Sequence, residues 1–402
     1  MEQNQKIQLF ESMPIPKAVA QLSIPMVFSS LVMVLYNMAD TYFVGMLNDP
    51  VQNAAVALAA PVLLAFNAVN NLFGVGTSSM MSRAMGRKDY NTVEESSAFG
   101  FYCALVSGII FGILCTVFGS PLLTLIGADE TTRAATQGYM FWTVSLGAAP
   151  AIVNVVMAYL VRSEGASLHA SIGTMSGCIL NIILDPIFIL PWGLDMGAAG
   201  AGCATFISNC AACLYFFVLL YVKRGKTFVC VNPKRFRFKK AIAAEICSVG
   251  IPASIQNLLN VTGMTILNNF TSVYGADAVA SMGISYKIYM VPMQITLGFS
   301  QGIMPLVSYT FASGNRKRMK KGDPVRLKGH GACPSGNHAG LLSGSGEVYR
   351  ALYGKRLHYR VRGRFSEGIL PRAGFPVRGF PGGGCVPGAG YGKIRPDLCA
   401  DA

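Results

Sequence analysis

The chain has 402 residues, of which 52% are hydrophobic and 13% charged, with a mean hydropathy of +0.44 and a formal net charge of +14. That balance is too apolar and too sparsely charged for a water-soluble domain of this size, and it points to a protein whose partner is the lipid bilayer. The positive charge could suggest nucleic acid, but basic loops facing an anionic membrane surface account for it, so no nucleic-acid partner is expected.

Taken in order, apolar runs long enough to cross a bilayer core lie near 18–45, 55–80, 97–118, 138–160, 168–191, 198–222, 244–270 and 277–308. Eight spans are predicted. The first run is too long for a cleavable leader and continues into Asp40, so it reads as a span that stays. Basic residues mark the cytoplasmic side of short loops. With the N-terminus inside, nineteen of them fall on that side: Lys6 and Lys17; Arg83, Arg87 and Lys88; Arg162; eight from Lys223 to Lys240; and five from Arg316 to Lys321. The external loops hold only Arg133. Seven of the eleven cysteines lie within spans without ligand-like partners, where Cys acts as a small hydrophobe, and no metal site is expected.

The stretch from Ile24-Pro25 to Gly86-Arg87-Lys88 is echoed from Ile251-Pro252 to Gly314-Asn315-Arg316-Lys317, over 62 positions in one copy and 63 in the other. The echo reads as an internal duplication. It divides the chain into a six-helix first lobe (1–222), a basic cytoplasmic loop (223–243), a partial second lobe of two helices (244–322) and a tail (323–402). The tail carries 17 Gly, with Arg outnumbering Lys nine to three, and no run long enough to span. It begins near the point where the duplicated pattern calls for a ninth span. It reads as a disordered, out-of-frame translation, which makes the chain a non-functional piece of a longer protein.

Ionisable side chains are expensive within a bilayer and mark transport paths or ion sites. Asp40 in span 1, Asp185 in span 5 and Thr205 in span 6 each lie about six or seven residues from the external end of their span, hence at one depth of roughly 10 Å. Asn181 precedes Asp185 by four positions, one helical turn away on the same face. Two carboxylates, an amide and a hydroxyl in one layer suit two tasks: gripping a hard monovalent cation, or sharing a proton. Alternatively, Asp40 caps a broken helix and Asp185 merely precedes Pro186 at a helix end. Asn67, Asn70 and Asn71 in span 2, with Gln256, Asn257 and Asn260 in span 7, either line a water-filled cavity or join helices by hydrogen bonds. Lys287 lies near mid-membrane, placed to pair with a carboxylate across the lobe interface. Pro25 and Pro252, matched in the two copies, are predicted hinges.

The run Tyr36-Asn37-Met38-Ala39-Asp40-Thr41-Tyr42-Phe43-Val44-Gly45, the loop Gly86-Arg87-Lys88-Asp89, the segment Arg162-Ser163-Glu164-Gly165, Asn181 with Asp185-Pro186, and the repeated Ser82…Gly86 and Ser308…Gly314 together resemble the multidrug and toxic compound extrusion (MATE) family over residues 1–322. The resemblance implies an all-α polytopic membrane protein of two lobes around a central cavity, working by alternating access in the bacterial inner membrane. It is expected to be a monomer without a resident cofactor. Entry of Na+ or H+ would drive export of cationic amphiphilic drugs. The family's cation site falls on Asp40, Asn181, Asp185 and Thr205, with Tyr36 one turn before Asp40. Asn260 stands where some relatives carry a membrane carboxylate. Two other readings are a lipid-linked oligosaccharide flippase of related plan and an intramembrane aspartyl protease.

Sequencing the encoding DNA is expected to show a frame change near codon 322; an uninterrupted natural frame through codon 402 refutes it.

Overall fold

A computed structural model describes residues 2–272, 276–315 and 318, with backbone alone at 2–5 and at a number of positions between 260 and 288. The side chains of Asn260 and Lys287, the Arg316-Lys317 pair and the tail from 319 lie outside the described residues. The order is α1 (Glu2–Glu11), α2 (Ile15–Met46), α3 (Pro50–Asn70), α4 (Gly76–Gly86), α5 (Tyr90–Val117), α6 (Gly119–Leu125), α7 (Arg133–Met140), α8 (Ala148–Ser163), α9 (Ser167–Ile189), α10 (Gly197–Val222), α11 (Lys240–Ser272) and α12 (Ala276–Ala312). Among the described residues there is no strand. Six helices are long and apolar enough to cross a membrane, or seven when α7 and α8, bent by 50°, count as one span. The 37-residue α12 takes the place of the eighth predicted span.

Local chemistry sets the helix starts. Asp49 accepts the Val51 amide at 2.9 Å, with Pro50 in the first turn of α3. Asp89 accepts the Thr92 hydroxyl at 2.6 Å and amide at 3.1 Å at the head of α5, and these bonds hold its carboxyl below the usual range. Span 2 is longer than its apolar core suggested, because a π-turn over 71–75 joins α3 to α4. A second π-turn over 141–146 carries the bend between α7 and α8, so that span begins at Arg133 rather than near 138. The short α1, with Leu9 and Phe10 buried, was not evident in the hydropathy pattern.

The duplication is visible in the packing. By the echo, α2 corresponds to α11 and α3–α4 to α12, and the pairs exchange partners: α12 packs on α2 and α4, and α11 on α4 and the 71–75 turn. Small residues let these backbones meet. A Cβ on Gly302 would stand 2.5 Å from Ser23 Cα, and one on Gly86 would stand 2.5 Å from the Tyr309 carbonyl. Both α2 and α11 run unbroken past Pro25 and Pro252, which leave the carbonyls of Gln21 and Ser248 without their helical donors.

One end of the bundle, which carries the N-terminus and the 223–239 loop, is here called the basic face. The loop is pinned there rather than free. Glu164, 3% exposed, accepts the Lys6 ammonium at 2.7 Å, the Thr227 hydroxyl at 2.9 Å and the Phe228 amide at 2.7 Å. Lys239 reaches Glu95 at 2.6 Å, and the Tyr102 hydroxyl donates to the Val231 carbonyl at 2.8 Å. Arg162 completes the floor, donating to Gln301 on α12 at 2.7 Å while lying 4.7 Å from the Tyr159 ring.

Removing a buried charge that binds three partners leaves Lys6 and the loop amide uncompensated. Glu164→Ala is therefore expected to destabilise the basic face by about 3 kcal/mol and to speed tryptic cleavage at Arg224 and Lys226. Unchanged cleavage would show that the loop is held by other contacts.

Candidate cation site

Four helices supply one polar layer. α2 brings Tyr36 and Asp40, α9 brings Asn181 and Asp185, α10 brings Thr205, and α7 brings Tyr139. From the helix ends, each of Asp40, Asp185, Thr205 and Tyr139 lies about 6–12 Å below the face opposite the basic one. Asp185 is 0% exposed, Asn181 2% and Tyr139 6%, while Asp40, Tyr36 and Thr205 are half-buried.

Asn181 is the bridge. Its amide is satisfied when the nitrogen donates to Asp185 Oδ2 at 2.8 Å and the oxygen accepts the Thr205 amide at 3.1 Å and hydroxyl at 3.3 Å. Asp40 and Asp185 lie within electrostatic range of one another, and the Tyr36 phenol lies against the Thr205 side chain. Among the described residues no ion pair joins either carboxylate to Lys, Arg or His.

α2 is continuous through Asp40, so that residue caps no break. α9 continues past Pro186 only to Ile189, so Asp185 does stand before a proline at the helix end, where the helix dipole opposes a negative charge.

The other predicted positions are distributed differently. Asn67 and Gln256 are exposed and Asn257 half-buried, whereas Asn70 is 7% exposed with its Oδ1 lacking a partner. The Ser254 hydroxyl donates to the Ala68 carbonyl at 2.6 Å and so brings the α3 and α11 segments together. None of these amides hydrogen-bonds the carboxylate cluster among the described residues.

The profile of the family described as MatE matches residues 25–187 and 252–322. The chain belongs to the MATE family. Its members are transporters, not enzymes, which sets aside the protease reading of the two carboxylates. The chain is 35% identical over 318 residues to the multidrug export protein MepA of Staphylococcus aureus, covering 79% of this chain and 69% of that protein. Among solved structures it is similar to MATE in complex with MaL6 (27% identity, TM-score 0.80, 90% of this chain and 79% of that one). It is also similar to an outward-facing multidrug resistance MATE transporter of the MOP superfamily (29% identity, TM-score 0.76, 81% and 71%). The two MATE matches begin at Pro25 and Pro252, the prolines from which the internal echo was read, and the second stops where the composition changes.

Tyr139 was missed. Drawn from 138, span 4 put it at the membrane edge, but α7 starts at Arg133 and lowers Tyr139 into the layer of the carboxylates. The polar run Thr131-Thr132-Arg133 was the available signal, since Asp129 accepts the Thr132 hydroxyl at 2.7 Å and amide at 2.8 Å to open that turn.

Replacing Asn181 by Ala strips Asp185 of its donor and Thr205 of its acceptor, at an expected cost of about 1–3 kcal/mol. A lowered thermal midpoint in detergent would register it; an unchanged midpoint would show that the bridge carries no stability.

Proposed function

We propose that the protein serves cation-coupled export of cationic amphiphilic compounds across the bacterial plasma membrane, as a monomer with the basic face and the N-terminus in the cytoplasm. The observation that carries this reading is the placing of Asp40 and Asp185, with Asn181, Thr205, Tyr36 and Tyr139, in one layer, with no ion pair to Lys, Arg or His among the described residues. Two like charges held close in a low-dielectric bundle call for a counter-charge. Na+ satisfies it by taking carboxylate, hydroxyl and phenol oxygens; H+ satisfies it by occupying one carboxyl. Either would be a transported ion, and no resident cofactor is part of the reading.

Capture of the cation removes the repulsion between α2 and α9, and with it a force holding the two helices apart. α2 is the helix that α12 packs against, so a shift of α2 changes the seam between the two copies. Pro25 supplies the weak point where α2 bends, and Pro252 the matching one in α11. A drug in the cavity between the copies then meets a reshaped wall, formed in part by Asn67, Asn70, Gln256 and Asn257. The coupling is a differential affinity of drug and cation for two arrangements of the same helices. The name of MepA, a multidrug export protein, supports the substrate class.

The site lies within the first six spans, so cation binding is measurable on this chain directly. A saturable Na+-dependent rise in thermal midpoint, absent in Asp40→Asn and Asp185→Asn, is expected for Na+ coupling. For proton coupling the rise follows lowered pH instead. In cells, in a chain whose reading frame is restored beyond codon 322, Asp40→Asn is expected to reduce ethidium export. Wild-type export by that variant would remove Asp40 from the mechanism.

A further inference from the structure

The ends of α4 and α12, where the two copies of the repeat close, meet on the basic face. Gly86, Arg87 and Lys88 at the end of α4, Ser313 and Asn315 after α12, and the end of α1 border an open cavity of about 410 Å³. Its floor is apolar, Phe10 stacked on Tyr309 with ring centroids 4.8 Å apart. Its rim carries Arg87, Lys88 and Arg318.

The charges there are not balanced. Among the described residues Glu11 is the one acid lining the cavity, and it already accepts the Tyr309 hydroxyl at 3.0 Å and faces Lys88 at 3.4 Å. Arg318 donates to the carbonyls of Met13 at 2.6 Å and Leu9 at 3.4 Å at the end of α1. Carbonyls orient a guanidinium without neutralising it, and its Nε is buried with no partner. Arg87 makes no side-chain hydrogen bond or ion pair among the described residues. Among the described lining residues three cations face one acid, with Asp89 beside Arg87 outside the lining, which leaves an excess of positive charge in a hollow roomy enough for a phosphate and the polar part of its ester. α4 and α12 both end at this level, which places the cavity where the spans leave the membrane.

We propose that this cavity binds a phosphate-bearing anion, either a lipid headgroup of the adjoining leaflet or a phosphate from solution. Arg87 and Lys88 from the first copy and Arg318 from the second take its oxygens, with the forked guanidinium groups suited to bidentate contact. A group held from both copies ties them together on this face and resists their separation. The site is separate from the carboxylate layer at the other end of the bundle and stands independently of it.

The test follows thermal unfolding of the full chain, purified in neutral detergent, through the fluorescence of Trp142 and Trp192. Inorganic phosphate is titrated against chloride at matched ionic strength, and nanodiscs of phosphatidylglycerol are compared with phosphatidylcholine. A saturable rise of a few degrees is expected with the phosphate-bearing anion. It is expected to vanish in the double variant Arg87→Gln, Lys88→Gln and to come at several-fold lower ligand concentration in Glu11→Gln. It is expected to persist in Lys234→Gln, Arg237→Gln, which removes the same charge from the exposed loop of the same face. A rise with both probes shows that phosphate suffices. A rise with phosphatidylglycerol alone assigns the lipid headgroup. No rise with either probe, or one undiminished in the Arg87, Lys88 double variant, overturns the proposal. Arg318→Gln is a secondary variant because it also releases the end of α1; the decision rests on the two exposed side chains.

Discussion

A polar group in the bilayer core has no water to fall back on, and each one left unpaired costs several kcal/mol. The first six spans are arranged around that constraint. Asp185, fully buried, is held by Asn181, which in turn engages Thr205, so three residues on two helices satisfy one another. Close approach of α9 and α10 makes this geometry available: Gly177 leaves room for the Ser208 carbonyl, and Gly173 takes the ring of Phe216. Asp40, half-buried, then arrives from α2 with a second carboxylate, and among the described residues no ion pair joins either acid to a basic residue. Charge held within a bundle without a counter-charge is destabilising.

The opposite end of the bundle solves a different problem with the same tools. There Glu164 gathers Lys6 and two groups of the connecting loop, Arg162 reaches across to Gln301, and Tyr309 stacks on Phe10. Most of these contacts are polar, with the buried Phe10–Tyr309 stack as the apolar exception. They contrast with the tight backbone seam of Gly302 on Ser23. One face is thus closed largely by polar bonds and the interior by close packing.

Much of the plan was legible in the residues. Eight spans, a repeat and two intramembrane acids at a shared depth follow from hydropathy and from the cost of charge in lipid, which is large enough to show in one dimension. Other features were hidden for specific reasons. Tyr139 carries no charge and tyrosines are common at membrane edges, so nothing separated it from an anchoring residue until the start of α7 was placed. The π-turns at 71–75 and 141–146 change helix phase by a fraction of a turn, below what apolar periodicity resolves. The partners of Glu164 come from the N-terminal helix and the connecting loop, both remote in sequence.

Membrane residence, the order of the apolar spans, and the place of Asp40 and Asp185 near one end of their helices were implicit in the order of amino acids, because lipid acts on each residue separately and along one axis. Whether the two acids face each other depends on how α2 and α9 are rotated about their own axes and which helices stand beside them. Those choices are made by contacts between segments far apart in the chain, such as Asn181 with Thr205 and Gly173 with Phe216. No local pattern records them, since every rotation of an apolar helix buries about the same apolar surface, and only the polar groups inside distinguish one rotation from another.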